Sequence, residues 1–172
     1  MRHIISVLVE NEFGVLARVA GLFSGRGFNI ESLSVAETLD PTVSRMTLVT
    51  RGDDQVLAQV EKQLEKLVPV IKVTDFTDTP HVERELVLIK VTADDKTRSE
   101  LLNVVDIFRA KIVDVSRRFY IVEATGSDDK VNALIELLKP IGITEVVRTG
   151  KVAMFRGTET FTTDGKDKDR AA

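Results

Sequence analysis

Val7-Leu8-Val9-Glu10-Asn11-Glu12-Phe13-Gly14-Val15-Leu16 is the stretch on which the fold turns. An apolar strand runs into two carboxylates with Asn11 between them, breaks at Gly14, and opens directly into a helix. A glycine at a strand-to-helix junction leaves the backbone N–H groups of the first helical turn free to point at a small anion, and the helix dipole assists. Asn11 places a neutral carbonyl and amide within reach of the same spot. Donors for a carboxylate beside oxygens for an ammonium suit a zwitterion. The corner holds no nucleophile and no evident general base, so it reads as a binding corner.

Working outward, residues 3–10 form a strand. Val15, Leu16, Val19, Leu22 and Phe23 keep helical spacing and make one apolar stripe, which stops at Gly25 and Gly27. Residues 28–38 and 43–51 are β-rich, joined across Leu39-Asp40-Pro41-Thr42, a hairpin turn signal. Asp53 or Asp54 caps a second helix with Val56, Leu57, Val60, Leu64 and Leu67 inward. Val70 to Phe76 is a last strand. The order β-α-β-β-α-β is the split βαβ, or ferredoxin-like, arrangement.

After Thr77-Asp78-Thr79-Pro80 the same order returns. Glu85 to Ala93 is a strand, and Thr97 with Glu100 reads as a capping box for a helix carrying Leu101, Val104, Val105 and Phe108. Strands at 111–117 and 119–126 follow, then a helix from Asp128 with Val131, Leu134, Ile135 and Leu138 inward, then a strand near 143–150. The expected fold class is α+β, two tandem ferredoxin-like βαββαβ domains: 1–77 with the ligand corner, a linker at 78–84, a second domain at 85–156 and a disordered tail at 157–172. The second unit has no glycine at its first strand-to-helix turn, so the corner is expected only in the first.

The 172 residues are 43% hydrophobic and 30% charged, the composition of a folded chain. A net charge of −3 supplies no basic footprint for nucleic acid and no polybasic membrane signal. Without cysteine there is no disulfide, thiolate chemistry or cysteine metal site. The N-terminal apolar run is short and interrupted by Glu10, and no segment approaches the length of a membrane span, so a cytoplasmic location is expected. Glu10 and Glu12 have no third carboxylate or histidine beside them, and His3 and His81 are isolated surface or interface residues. Neither metal binding nor catalysis is expected.

Glu10-Asn11-Glu12-Phe13-Gly14-Val15-Leu16, followed by Leu22-Phe23-Ser24-Gly25-Arg26-Gly27-Phe28-Asn29-Ile30-Glu31-Ser32-Leu33, resembles the ACT domain of the small, regulatory subunits of acetohydroxyacid synthase (acetolactate synthase). The likeness continues through Ser44-Arg45-Met46-Thr47, His81-Val82-Glu83-Arg84-Glu85-Leu86 and Ile107-Phe108-Arg109-Ala110-Lys111-Ile112-Val113-Asp114-Val115. It implies a chain with no catalytic activity and no cofactor of its own, partnered by a large catalytic subunit that carries thiamine diphosphate, a divalent metal (Mg) and FAD. The small subunit raises that partner's activity and confers feedback inhibition by valine or a related branched-chain amino acid.

The resemblance also implies an effector site shared by the paired ACT domains of a homodimer. One chain contributes Asn11, Gly14, Val15 and Leu16; the other contributes Asn29 and Ile30. Leu16, Ile30 and Val35 are candidates for the apolar rim around a branched side chain, and Gly21, a destabilising residue inside the first helix unless a neighbouring helix approaches closely, is an interface candidate. Acylphosphatase-like enzymes share the fold, but two glutamates at the turn would repel phosphate. RNA-binding modules of this strand order stack bases on aromatics, and Val43 to Arg51 has none. A stand-alone amino-acid sensor acting on a different enzyme is the alternative reading.

Overall fold

The computed structural model describes residues 1–161. In chain order the first six elements are β1 (Arg2–Glu10), α1 (Val15–Gly25), β2 (Ile30–Glu37), β3 (Val43–Arg51), α2 (Asp54–Leu64) and β4 (Val70–Asp75). They form an antiparallel sheet of order β2-β3-β1-β4. The next six, β5 (His81–Thr92), α3 (Arg98–Ile107), β6 (Lys111–Val115), β7 (Phe119–Gly126), α4 (Asp128–Gly142) and β8 (Ile143–Arg148), repeat the order as β6-β7-β5-β8. A short β9 (Val152–Phe155) pairs with β5. Both repeats are ferredoxin-like βαββαβ units, and the chain is α+β as expected.

The near-continuous apolar run of β1 has a simple cause: the strand is central and buried on both faces. Ile5, Val7 and Val9 pack with Val15, Val19 and Phe23 of α1 and with Leu57, Val60 and Leu64 of α2. Ile4 and Leu8 point the other way, into two smaller clusters. Burying each such side chain contributes roughly 1.5–3 kcal/mol. Asp53 caps α2 by accepting from the Gln55 N–H at 2.9 Å. The side chain of Val56, expected inward, lies outside the described ones.

The chain divides into two compact units, Met1–Val82 together with the chain from Lys151, and Glu83–Gly150. This differs from the expected boundaries in three places. Residues 81–84, expected as linker, are strand from His81 onward. Residues 151–156, expected in the second domain, group with the first unit. Of the tail expected from 157, Phe161 is only 4% exposed, packed with Leu8 and Val43; residues 162–172 lie outside the described ones. The reason is common to all three. The helix-free face of the first sheet is apolar, and Ala153, Phe155 and Phe161 cover it.

Two local features also differ from expectation. Thr97 stands at the N-cap of α3 without capping it. Asp94 instead ties the turn that precedes the helix, its Oδ1 accepting from the N–H groups of Thr97 at 2.9 Å and Lys96 at 3.0 Å. These bonds hold the Asp94 carboxyl below the usual carboxylate range. His3 is buried rather than at the surface, because its place in β1 faces the same way as Ile5; its Nδ1 lies 3.0 Å from Asp75 Oδ2.

Glu61 of α2 is partly buried. Burial pushes its carboxyl above the ordinary range, and the negative charges of Asp75 and Glu65 push the same way. The folded chain therefore binds this proton more tightly than the unfolded one, so the group costs stability as pH rises through its folded-state pKa. Glu61→Gln is expected to raise Tm at pH 7, and the advantage should vanish below about pH 4, where both states are protonated. Thermal melts at the two pH values check this. A gain that grows on acidification would contradict it.

Candidate functional site

The corner begins where β1 ends. Gly14 adopts φ +81°, a left-handed conformation that favours glycine, and stands at the N-cap of α1. No side chain caps the helix and no acidic residue occupies its first turn. The first-turn N–H groups, those of Val15 and Leu16 among them, have no partner within the helix by geometry. Gly14 is exposed, and nothing lies within 4 Å of where its Cβ would be. Val15 is 3% exposed with its side chain in the core, so it can offer a ligand only its backbone. In the second unit the turn before α3 carries no glycine, and Asp94 binds the N–H groups of Lys96 and Thr97 there.

Asn11 is tied to the β2–β3 hairpin. Its backbone N–H donates to Thr42 O at 2.7 Å, and its Nδ2 donates to Pro41 O at 2.9 Å and to Glu37 Oε1 at 3.1 Å. The side-chain amide is thus occupied, and Oδ1 is the group left to meet an ammonium. The hairpin itself is stiffened by Asp40, whose Oδ1 accepts from Thr42 N at 2.9 Å and Thr42 Oγ1 at 2.7 Å. Those bonds lower the Asp40 carboxyl below its ordinary range, the hydroxyl contributing most. Glu37, Pro41 and Thr42 are partners of Asn11 that the sequence alone does not reveal, since their link to it spans 26 to 31 positions.

Asn29 and Ile30 lie elsewhere. Ile30 pairs with Thr50 at one end of the sheet, whereas Glu10 pairs with Val43 at the other. Seven residues of β3 separate the two registers, roughly 23 Å of strand. Asn29 is exposed, and its carbonyl accepts from Thr50 Oγ1 at 2.8 Å. Within one chain, then, Asn11, Gly14, Val15 and Leu16 come together while Asn29 and Ile30 stand apart. Of the rim candidates, Leu16 and Val35 are exposed and Ile30 is half-buried. Among the described residues no group of three or more His, Asp or Glu is arranged to hold a metal ion. No helix among them is long and apolar enough to cross a membrane.

Residues 5–72 match the family described as the AHAS small subunit-like ACT domain, and residues 84–157 match the small subunit of acetolactate synthase. An acetolactate synthase small subunit of Aquifex aeolicus is 58% identical over 156 residues, covering 90% of this chain and 81% of that protein. A probable acetolactate synthase small subunit of Archaeoglobus fulgidus is 57% identical, covering 92% of this chain and 99% of that one. The crystal structure of the acetolactate synthase small subunit from Thermotoga maritima superposes with a TM-score of 0.83 at 46% identity, covering 92% of this chain and 99% of that one. The chain belongs to the acetolactate synthase small-subunit family.

Proposed function

We propose that this chain is a non-catalytic regulatory subunit of acetolactate synthase that binds valine, or a related branched-chain amino acid, at a seam between two copies of its first unit. The observation that carries the reading is the separation of the two half-sites along β2. That strand is an edge of the first sheet, and its far end, Glu37, accepts from the Asn11 amide. Antiparallel pairing of β2 with its copy about a two-fold axis between Leu33 and Ser34 sets Ile30 of one chain opposite Glu37 of the other. Asn29 and Ile30 then meet the partner's corner, and each dimer holds two complete sites. An exposed edge strand also calls for cover, and the open space around Gly21 on α1 admits a neighbouring helix.

In this arrangement the first-turn N–H groups after Gly14 take the effector's carboxylate. Oδ1 of Asn11 and main-chain oxygens near Asn29 take its ammonium, and Leu16, Ile30 and Val35 rim the aliphatic side chain. Because two chains build each site, effector binding and pairing are linked. A coupling of roughly 1–3 kcal/mol to the catalytic large subunit gives a useful response. The thiamine diphosphate, Mg and FAD belong to that partner.

Reconstitution tests the reading. Added to a large subunit, the chain should raise the rate of acetolactate formation, and valine should then lower it. A rate unmoved by the chain, or by valine in its presence, would count against it and favour a sensor that serves another enzyme.

A further inference from the structure

The chain from Lys151 ends, within the described residues, directly beneath the corner. Phe161 packs with Leu8 of β1 and Val43 of β3. Val43 pairs with Glu10, its carbonyl accepts from Thr38 N at 2.9 Å, and the preceding Thr42 carbonyl accepts from Asn11 N. Asn11 therefore hangs from a hairpin whose base rests on Phe161.

The ring is gripped from two strands. The Arg45 guanidinium of β3 lies 5.1 Å from its centroid and the Lys72 ammonium of β4 lies 5.2 Å from it. Arg45 Nη2 also donates to the Phe161 carbonyl at 2.5 Å. Arg45 Nε is buried with no partner among the described residues, so this grip is what holds a half-desolvated cation in place. Upstream, Lys151 N donates to Ser32 Oγ of β2 at 3.1 Å, and Arg156 N to Pro80 O at 3.2 Å. The segment is thus fastened at Ser32 and at Pro80 before it reaches the corner's base at Phe161.

We propose that Phe161, clamped by Arg45, is a positioning residue for the effector corner: it fixes the base of the β2–β3 hairpin and through it the orientation of Asn11. The proposal rests on the effector reading given above. It differs from a purely structural role in what it moves. Loss of the ring lets Val43 and Thr42 shift, which disturbs Asn11 and leaves Gly14 and the first turn of α1 as they are.

The test uses the full chain, with Phe161→Ala, Phe161→Tyr and Arg45→Lys beside the wild type. The side-chain amide resonance of Asn11 is followed by NMR, and valine affinity is followed by calorimetry. Phe161→Ala is expected to move the Asn11 resonance and weaken valine binding about tenfold. Phe161→Tyr, which keeps the ring and its cations, should do neither. Arg45→Lys, which cannot both stack and reach the carbonyl, should reproduce the alanine effect and serves if Phe161→Ala does not fold. An Asn11 resonance unmoved in the folded Ala or Lys variant overturns the positioning role whether or not valine binds. A wild-type chain that does not bind valine, with the resonance still moving as expected, overturns the effector reading and leaves the positioning role standing.

Discussion

Gly14→Asp is expected to lower valine affinity about 100-fold, the equivalent of roughly 2.7 kcal/mol. Two effects add. A carboxylate at the N-cap competes for the first-turn N–H groups, and its charge repels the effector's own carboxylate. The fold should survive, since nothing lies within 4 Å of the new Cβ. The left-handed φ of +81° costs a non-glycine residue only about 1 kcal/mol. Gly14→Ala carries the same strain without the charge and so should lose much less affinity, which separates the two causes. Calorimetric titration reads the affinity, and the activation of the catalytic partner without valine should be unchanged in both variants. Affinity for valine within twofold of wild type in Gly14→Asp would remove the corner from the site.

Phe76→Ala is the substitution expected to cost the most stability. Phe76 is fully buried on the helix-free face, clustered with Ile4, Val49 and Ala153. Its ring centroid lies 4.6 Å from that of Phe155, 5.5 Å from His81 and 6.4 Å from Phe161. Truncation to alanine leaves a cavity that backbone strands cannot close, at a cost of about 3–5 kcal/mol. For a chain of this size that lowers Tm by roughly 10 °C. The chain after Lys151 should loosen with it, so trypsin should cut at Arg156 faster than in the wild type. A loss below about 1 kcal/mol would mean that this face is not packed as described.

Much of this was legible from local pattern. In the first helix stripe Val15, Val19 and Phe23 reach the core and Leu22 packs against it while Leu16 turns outward, and Leu57, Val60 and Leu64 of the second keep the 3.6-residue period in the same core. Gly14 marks its own junction, and its left-handed φ supplies the reason. The hidden parts were those decided by tertiary contact. Phe76, Phe155 and Phe161 are single aromatics in short or irregular segments, and no local period shows that they stack on one another. The same gap concealed β9 and placed the domain boundary too simply, since one apolar sheet face draws back a segment some 70 positions downstream. His3 looked solitary because Asp75, its partner, lies on β4 at the other end of the unit. Asn11 could be named as a polar group at the corner. That its amide is spent on Pro41 and Glu37 could not, because a side chain's partners across a hairpin leave no trace in spacing.

The claim beneath all of this is that each effector site is assembled from two chains, and complementation tests it most directly. Two variants that each bind valine far more weakly as homodimers, Gly14→Asp and Asn29→Lys, whose ammonium repels the effector's own, are mixed, dissociated and allowed to re-pair. In a mixed dimer one of the two sites carries both lesions and the other carries none. The account predicts that valine binding returns in about one quarter of all sites, with the affinity of the wild type. Mixtures that bind no more valine than either variant alone would show that the turn and the start of β2 do not serve one ligand across the seam.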